Sequence, residues 1–427
     1  MKKLFGTDGI RGKAGISPIT PEEVYKLAYI FAKKTNYRNI AIGWDTRESS
    51  LWIANAVISG LKDANSNSEI LGCVPTPVLA YTVKENFDGG IMITASHNPF
   101  EDNGLKFFNG KGEKIETSIE KEVEKEFFQS KIKPKIENFL KNQLIFNKDL
   151  TEKYLLRIAE KISIKSISKT YPVDCANGAT SLFIKFASEK YGIDFQPYNT
   201  NPNGKNINFK CGAAKPEFIR KNSFAFDGDG DRIMAKDENE NIVNGDIILM
   251  FLADKLKIKK LVGTVMTNMA VEIFCKNRNI QFERTPVGDK FVREKMKEIN
   301  ASLGGETSGH IILSDLNHTG DGFAVYLKML ELFNKENIAL KNLTENYPLF
   351  PQKVINIPVK EKVPFENIKG FEQLKEKVEE ILENEGRFFP RYSGTENLLR
   401  ILIEGKDKEK IEQCEKIIKE FFNKTEV

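Results

Sequence analysis

The sequence predicts an α/β protein of several domains, its sheets mostly parallel or mixed, followed by a small α+β terminal domain. Two observations carry this. The 427 residues are 40% apolar, enough to bury real cores, and at about 150 residues per domain they make roughly three domains as a first expectation. Short apolar runs also end again and again in a polar, glycine-bearing loop with an amphipathic stretch behind it, the punctuation of βα units.

These runs are Asn39-IAI-Gly43-WDTR, Gly90-IMI-Thr94-ASHN, Tyr171-PVDCANGAT, Phe224-AFDGDGDR and Leu261-VGTVMTN. In such units ligands meet the loops at the carboxyl ends of the strands. A charged stretch of mixed periodicity from Lys111 to about Asp149 gives way to the helical pattern Thr151-EKYLLRIAEKIS, placing a first boundary near residue 148. The second lies near 243, where Asp237-ENENIVNGD reads as a turn before the helix Ile247-ILMFLADKLK. The third lies near 350, where Tyr347-PLFPQ punctuates the chain before the strand Lys353-VINIPV. Domains at 1–148, 149–243, 244–350 and 351–427 are expected. In the last, Phe371-EQLKEKVEEILEN and Lys408-EKIEQCEKIIKEFFNK read as packing helices.

With 64 basic and 60 acidic residues the net charge is +4, and the charges are spread along the chain. That balance argues against a nucleic-acid or membrane-surface protein. The apolar run at residues 247–253 is far shorter than the roughly 20 needed to cross a bilayer, and Asp8 and Arg11 interrupt the start before a signal core forms. The five cysteines are scattered, with no C-x-x-C, so neither a disulfide framework nor a zinc site is expected and a cytoplasmic location follows.

The sharpest chemical signal is Asp227-Gly228-Asp229-Gly230-Asp231-Arg232. Carboxylates at alternate positions, with glycines letting the backbone curl, converge on one hard cation. The spacing also imitates a calcium loop, with Glu238 in register, but Arg232 stands where that loop needs glycine. A dinucleotide fingerprint fails because Ile233 replaces the third glycine. Magnesium sharing its positions with a phosphate oxygen fits best.

Thr94-Ala95-Ser96-His97-Asn98-Pro99 places a serine at a strand's carboxyl end, as a nucleophile, a phosphoryl carrier or a plain turn residue. Without G-x-S-x-G, acyl-transfer chemistry loses ground. Arg391-Tyr392-Ser393-Gly394-Thr395-Glu396-Asn397, with Arg400 beyond, combines small hydroxyl residues with guanidinium groups that suit a phosphate. Phe5-GTDGIRG holds Arg11 between glycines. In Gly304-GETSGH, the residues Glu306, Ser308 and His310 alternate as they would on one side of an extended loop, a row able to read sugar hydroxyls.

In this order FGTDGIRG, TASHNP, DGDGDR, GGETSGH and RYSGTEN resemble the α-D-phosphohexomutase superfamily, from Phe5 to Arg400. The connecting stretches Ser96-HNPFEDNGLKFF, Asp174-CANGAT and Pro202-NGKNINFKCGA are similar to its amino-sugar branch more than to its phosphomannose and phosphoglucose branch. The resemblance implies three similar α/β mixed-sheet domains plus a C-terminal TATA-binding-protein-like α+β domain around a central cleft. It implies interconversion of glucosamine 6-phosphate and glucosamine 1-phosphate, with one magnesium ion per chain and a 1,6-bisphosphate as intermediate and primer.

By the same resemblance Ser96 is the phosphoserine and a metal ligand with Asp227, Asp229 and Asp231. Arg11, Lys106 and His310 serve the transferring group, and Arg232, Glu306 and Ser308 the sugar. Arg391, Ser393, Gly394, Thr395 and Arg400 hold the non-reacting phosphate. Hexosamine phosphates are the expected partners, with no nucleic acid or membrane, and a homodimer is the assembly to test. Two departures stand out: Tyr392 and Asn397 replace prolines of the family loop, removing two fixed φ angles and adding backbone N–H groups that need partners. A neutral-sugar mutase of the same fold and a metal-dependent phosphatase are the rivals.

Overall fold

The computed structural model describes residues 3–142, 144–383, 385–393 and 397–424. They divide into two units, residues 1–265 with 281–346 and residues 266–280 with 347–427.

The first sheet holds β1 (Ile10–Lys13), β2 (Asn39–Trp44), β3 (Asn67–Cys73), β4 (Gly89–Ile93) and β5 (Asp102–Asn109) in the order β1-β5-β4-β2-β3. Strands β3, β2 and β4 run parallel, while β5 returns antiparallel to β4 and β1 antiparallel to β5. All five residues of β4 are buried, the apolar run expected of a strand covered on both faces. Helices α1 (Pro21–Thr35), α2 (Ser50–Asp63), α3 (Thr76–Asn86) and α4 (Thr117–Gln129) accompany it. Helix α1 starts where the Thr20 side chain accepts from the Glu23 N–H, with proline at its first position, and ends at a left-handed Asn36.

After α5 (Lys148–Lys161), the second sheet combines β6 (Val173–Asp174), β7 (Pro197–Tyr198), β8 (Ser223–Phe226), β9 (Ile233–Lys236) and β10 (Ile242–Val243), with α6 (Thr180–Tyr191) between β6 and β7. Its order, β10-β9-β8-β6-β7, repeats the first sheet's sequence of parallel and antiparallel pairs. A third sheet follows α7 (Gly245–Lys255) and contains β11 (Lys260–Thr264). Beyond α8 (Met269–Asn277) come β12 (Gln281–Thr285), α9 (Asp289–Ile299), β13 (Leu303–Gly305) and β14 (Ile311–Leu313). Its order β12-β11-β13-β14 is again two parallel pairs and an antiparallel return. Helices α10 (Gly322–Glu336) and α11 (Lys341–Asn346) close the first unit.

This shared topology puts three motifs at one kind of connection, between the last parallel strand and its antiparallel return. Residues 94–101 link β4 to β5, 227–232 link β8 to β9, and 306–310 link β13 to β14.

The second unit has an antiparallel sheet of β15 (Gln352–Pro358), β16 (Gly386–Tyr392) and β17 (Leu398–Gly405) in the order β15-β17-β16, with α12 (Phe371–Leu382) and α13 (Lys408–Lys424). Val378, Leu399, Ile401, Ile403 and Ile418 form its core. Helix α8 belongs here too. Its Phe274 ring meets Tyr347 at 5.9 Å, and Asn268 at its N-terminus bonds both the N–H and the carbonyl of Phe350. The loop carrying Ser393 joins β16 to β17.

Candidate active site

Ser96 is fully buried and takes a left-handed φ of 50°, a conformation a serine keeps only where its surroundings impose it. Its N–H donates to Thr94 Oγ1 at 2.8 Å, and Thr94 donates in turn to Asp45 Oδ2 at 2.7 Å. Its hydroxyl donates to Asp227 Oδ2 at 2.6 Å, so the serine loop and the acidic loop, 131 residues apart, meet at the serine oxygen. His97 Nδ1 lies 3.5 Å from the same oxygen. Burial first, then the charges of Arg232 and Arg11, lower the His97 pKa to about 2, which leaves the ring neutral.

The acidic loop approaches this closely because of its glycines. A Cβ at Gly228 would sit 2.6 Å from the Ser96 carbonyl oxygen, and Gly230 has φ 72°. Neighbouring backbone fixes the loop: Ala179 N–H donates to Gly228 O, Thr76 N–H to Asp229 O and Gly322 N–H to Gly230 O.

Asp227, Asp229 and Asp231 are buried, and each offers a carboxylate oxygen within 4.8 Å of the others'. Lys106 Nζ bridges two of them, at 2.9 Å from Asp229 Oδ2 and 2.8 Å from Asp231 Oδ2, and Thr76 Oγ1 donates to Asp229 at 2.6 Å. Burial opposes the Lys106 charge, but Asp229 and Asp231 outweigh it and hold the pKa above the ordinary lysine value. Burial also works against the Asp229 charge, yet Lys106 and Thr76 hold that carboxyl below its usual range. Asp227, with burial and two carboxylate neighbours against its charge, is pushed up.

Asp229 Oδ1 and Asp231 Oδ1 are buried with no hydrogen-bond donor among the described residues. Buried carboxylate oxygens without donors are costly, and three hard oxygen ligands converging from one loop suit a divalent cation. The residues fit the metal.

Around this centre runs a charge network. Asp8 pairs with Arg11 and Lys114 and lies 3.3 Å from Lys106. Arg11 reaches toward the serine loop, Nη1 being 3.5 Å from Asn98 Oδ1, and its burial lowers its pKa. Lys114 continues to Asp289 at 2.6 Å, and Asp289 Oδ2 lies 3.5 Å from His310 Nε2. Arg232 donates its backbone N–H to Asp227 Oδ1 at 3.1 Å, while its Nε lies 4.0 Å from Asp231 Oδ1.

The structure changes one expectation. Residues 306–310 do not form an extended row. They close a tight hairpin turn in which Glu306 N–H donates to His310 O and Gly309 N–H to Glu306 O. Glu306 Oε1 accepts from Gly288 N–H at 3.0 Å, Ser308 stays half-buried on the turn, and His310 is buried instead against the acidic loop, 3.9 Å from Asp231 Oδ2. The reason is backbone pairing between the two loops, with Ile233 N–H donating to Gly309 O at 3.0 Å and Arg232 bridging His310.

In the second unit Arg391 and Arg400 are direct partners across β16 and β17. Burial together with Arg400 lowers the Arg391 pKa. Ser393 is buried, its N–H donating to Leu398 O and its carbonyl accepting from Lys362 Nζ at 2.6 Å. Gly394 and Thr395 lie outside the described residues. Tyr392 stacks on Phe365 at 5.1 Å and 9°, and its hydroxyl donates to Val363 O at 2.6 Å.

Sequence reasoning left out Asp8, Asp45, Arg47, Thr76, Lys114, Asn208 and Asp289. Arg47 was visible in WDTR as part of a βα loop, but nothing local showed which carbonyls it would meet.

A serine bonded to a three-carboxylate loop, both on equivalent connections of repeated mixed α/β sheets, defines a sugar-phosphate isomerase of the phosphohexomutase class. Three models of the phosphoglucomutase/phosphomannomutase family match the chain: α/β/α domain I over residues 2–133, α/β/α domain III over 244–350 and the C-terminal domain over 354–421. The chain belongs to this family, the α-D-phosphohexomutases. It is 39% identical to the phosphoglucosamine mutase of Aliarcobacter butzleri, over 99% of both chains. It is 37% identical to that of Helicobacter pylori, over 98% of this chain and 99% of the relative.

Among solved structures, a phosphoglucomutase/phosphomannomutase family protein from Burkholderia thailandensis has TM-score 0.79 at 19% identity, covering 99% and 97% of the two chains. The Aspergillus fumigatus N-acetylphosphoglucosamine mutase, solved with GlcNAc-6P and magnesium, has TM-score 0.66 at 19% identity, covering 98% and 96%. These two share the fold.

Proposed function

We propose that this chain interconverts glucosamine 6-phosphate and glucosamine 1-phosphate, with Ser96 as the phosphoryl carrier. The observation that carries the reading is the 2.6 Å contact between Ser96 Oγ and Asp227 beside the Lys106-bridged carboxylates. Full-length relatives of the same enzyme name support the amino sugar.

In the proposed cycle the hydroxyl oxygen of the bound sugar attacks the phosphorus of phospho-Ser96. The bond from phosphorus to Ser96 Oγ breaks, and the sugar hydroxyl's proton ends on Ser96 Oγ, giving a 1,6-bisphosphate and free serine. The bisphosphate reorients, the serine oxygen attacks its other phosphorus, the bond from that phosphorus to the sugar oxygen breaks as that oxygen takes up the serine proton, and the isomer departs, leaving the enzyme rephosphorylated. Such a transfer needs little covalent help, so positioning and charge supply the rate. Lys106, Arg11 and Arg232 are cations fixed beside the serine and its carboxylates, suited to the equatorial oxygens as the bond loosens. The raised pKa of Lys106 favours a fixed positive charge there over a proton acceptor. His310 and the phosphoserine oxygens are then the candidates for the sugar proton.

A divalent ion, assigned as one Mg²⁺ per chain, would be held by Asp227, Asp229, Asp231 and the serine phosphate, and when bound offsets phosphate charge. Glu306 and Ser308 are assigned to sugar hydroxyls. Arg391, Ser393, Gly394, Thr395 and Arg400 are assigned to the other phosphate, and the cross-strand pairing of Arg391 with Arg400 supports this. A hexosamine 1,6-bisphosphate is the proposed primer, and domain boundaries near 148, 243 and 350 go with the reading. A homodimer is the assembly proposed, checked by the mass of the protein in solution. Among the described residues no helix is long and apolar enough to cross a membrane.

Ser96→Ala should lower isomerisation by about 10³-fold or more, measured with glucosamine 6-phosphate and added bisphosphate. A fully active variant would overturn the reading. Specific activities on glucosamine, glucose and mannose phosphates test the sugar, and a preference for either neutral sugar would transfer the chain to the other branch.

A further inference from the structure

The Arg47 side chain is completely buried, and every one of its N–H donors is spent. Nε donates to Asp45 Oδ2 at 2.9 Å. Nη1 donates to the carbonyls of Pro99 and Asp102, and Nη2 to those of Ser96 and Asn98, both at 2.9 Å. A guanidinium has five N–H donors in a rigid fork, whereas a lysine has three on one atom. This arginine is therefore matched to one conformation of the loop at residues 96–102.

A second side chain, from a distant segment, grips the same two carbonyls. Asn208 Nδ2 donates to Ser96 O at 2.8 Å and to Asn98 O at 3.2 Å. Asn208 sits at φ 57° and its Oδ1 has no hydrogen-bond partner among the described residues. It is placed for its amide donors, not for its oxygen. Among the described residues no hydrogen bond or ion pair joins Arg47 or Asn208 to the three carboxylates of the acidic loop.

Ser96 itself is the left-handed residue of this loop, and such backbone persists only where surrounding bonds over-determine it. We infer that Arg47 and Asn208 are positioning residues that hold Ser96 in its left-handed, transfer-ready conformation by clamping the carbonyls of Ser96 and Asn98 from two sides. The inference rests on Ser96 being the phosphoryl carrier. If the clamp is loosened, the serine phosphate loses its alignment with the acceptor hydroxyl, and water competes better for it. Substrate binding elsewhere is untouched, so the loss belongs in kcat.

The test compares Arg47→Lys, Asn208→Gly and Ser96→Ala in the full-length enzyme with magnesium and glucose 1,6-bisphosphate. Glycine is chosen at 208 because alanine would be strained at that φ. The readouts are kcat and KM for glucosamine 6-phosphate, phosphoenzyme by intact mass, phosphate released per isomer formed, and melting temperature. Asn208→Gly should lose about 10-fold and Arg47→Lys about 100-fold in kcat, with KM within about twofold of the parent and more phosphate released per isomer. Full kcat with unchanged phosphate release in Asn208→Gly overturns the inference, as does a kcat loss that merely follows loss of folded protein. Should Arg47→Lys fail to fold, Asn208→Gly decides alone. An active Ser96→Ala sinks the parent reading, whereas an inactive Ser96→Ala with two normal clamp variants sinks only the clamp.

Discussion

Lys106 neutralises Asp229 and Asp231 from a fully buried position. Replacing one partner of a buried ion pair strands the other, at about 3–5 kcal/mol. Lys106→Gln should therefore melt well below the parent in a chelator and recover much of the difference when Mg²⁺ is added, because the cation supplies the missing charge. A melting temperature indifferent to the metal would contradict the triad as a metal site. Tyr392 is a second test. Where the family loop has proline, this chain stacks the ring on Phe365 and ties its hydroxyl to Val363 O. Its backbone pairs with Leu399 in the sheet, and the Asn397 carbonyl accepts from Val359 N–H. The rigidity that proline would give is met by packing and strand pairing. Tyr392→Ala should raise KM for the sugar phosphate about tenfold and change kcat little, and Tyr392→Phe should change both less. Ser96 and the three aspartates were legible because each motif is a contiguous run. Thr76, 153 residues from the Asp229 it bonds, was not, since only the tertiary fold brings them together.

At the scale of elements, strands and helices followed from apolar periodicity, whereas the turn at residues 306–310 did not. Alternating polar residues look alike in an extended loop and in a hairpin, and it is pairing with Ile233 and Arg232 that selects the hairpin here. Helix α9 carries a further consequence. Glu113, next to the first sheet, accepts from Arg293 Nε and Nη2 at 3.1 and 3.0 Å and pairs with Lys297. Lys290 pairs with Glu120 at 3.0 Å. Burial opposes the Glu113 charge, but Lys297 and Arg293 outweigh it and lower the pKa. A carboxyl with a depressed folded-state pKa contributes stability above its unfolded value near 4.3, and that contribution disappears as pH falls through the folded value. With Lys297 47% exposed, solvent screening leaves about 1 kcal/mol. Glu113→Gln should melt lower than the parent at pH 7, and the gap should close below about pH 4. A gap independent of pH would show that the ion pairs are not its source.

Across the whole molecule, the two units are interleaved in sequence: the chain leaves the first unit after residue 265, returns at 281 and leaves again after 346. Composition and motif order made the multidomain plan legible. The membership of α8 was not, because its apolar face at Ala270, Val271, Phe274 and Cys275 suits any neighbour. A chain ending at residue 346 lacks the segment that meets Phe274 and Asn268, so Cys275, buried in the full chain, should react quickly with a thiol reagent there and slowly in the full-length protein. Equal protection in both would remove α8 from the second unit. The same interleaving governs synthesis. Helix α8 leaves the ribosome long before its partners, and at about 5–20 residues per second it waits roughly 8–30 s for residues 347–427 to follow. During that interval the apolar residues of α8 lack the segment that covers them in the full chain, a surface suited to a chaperone.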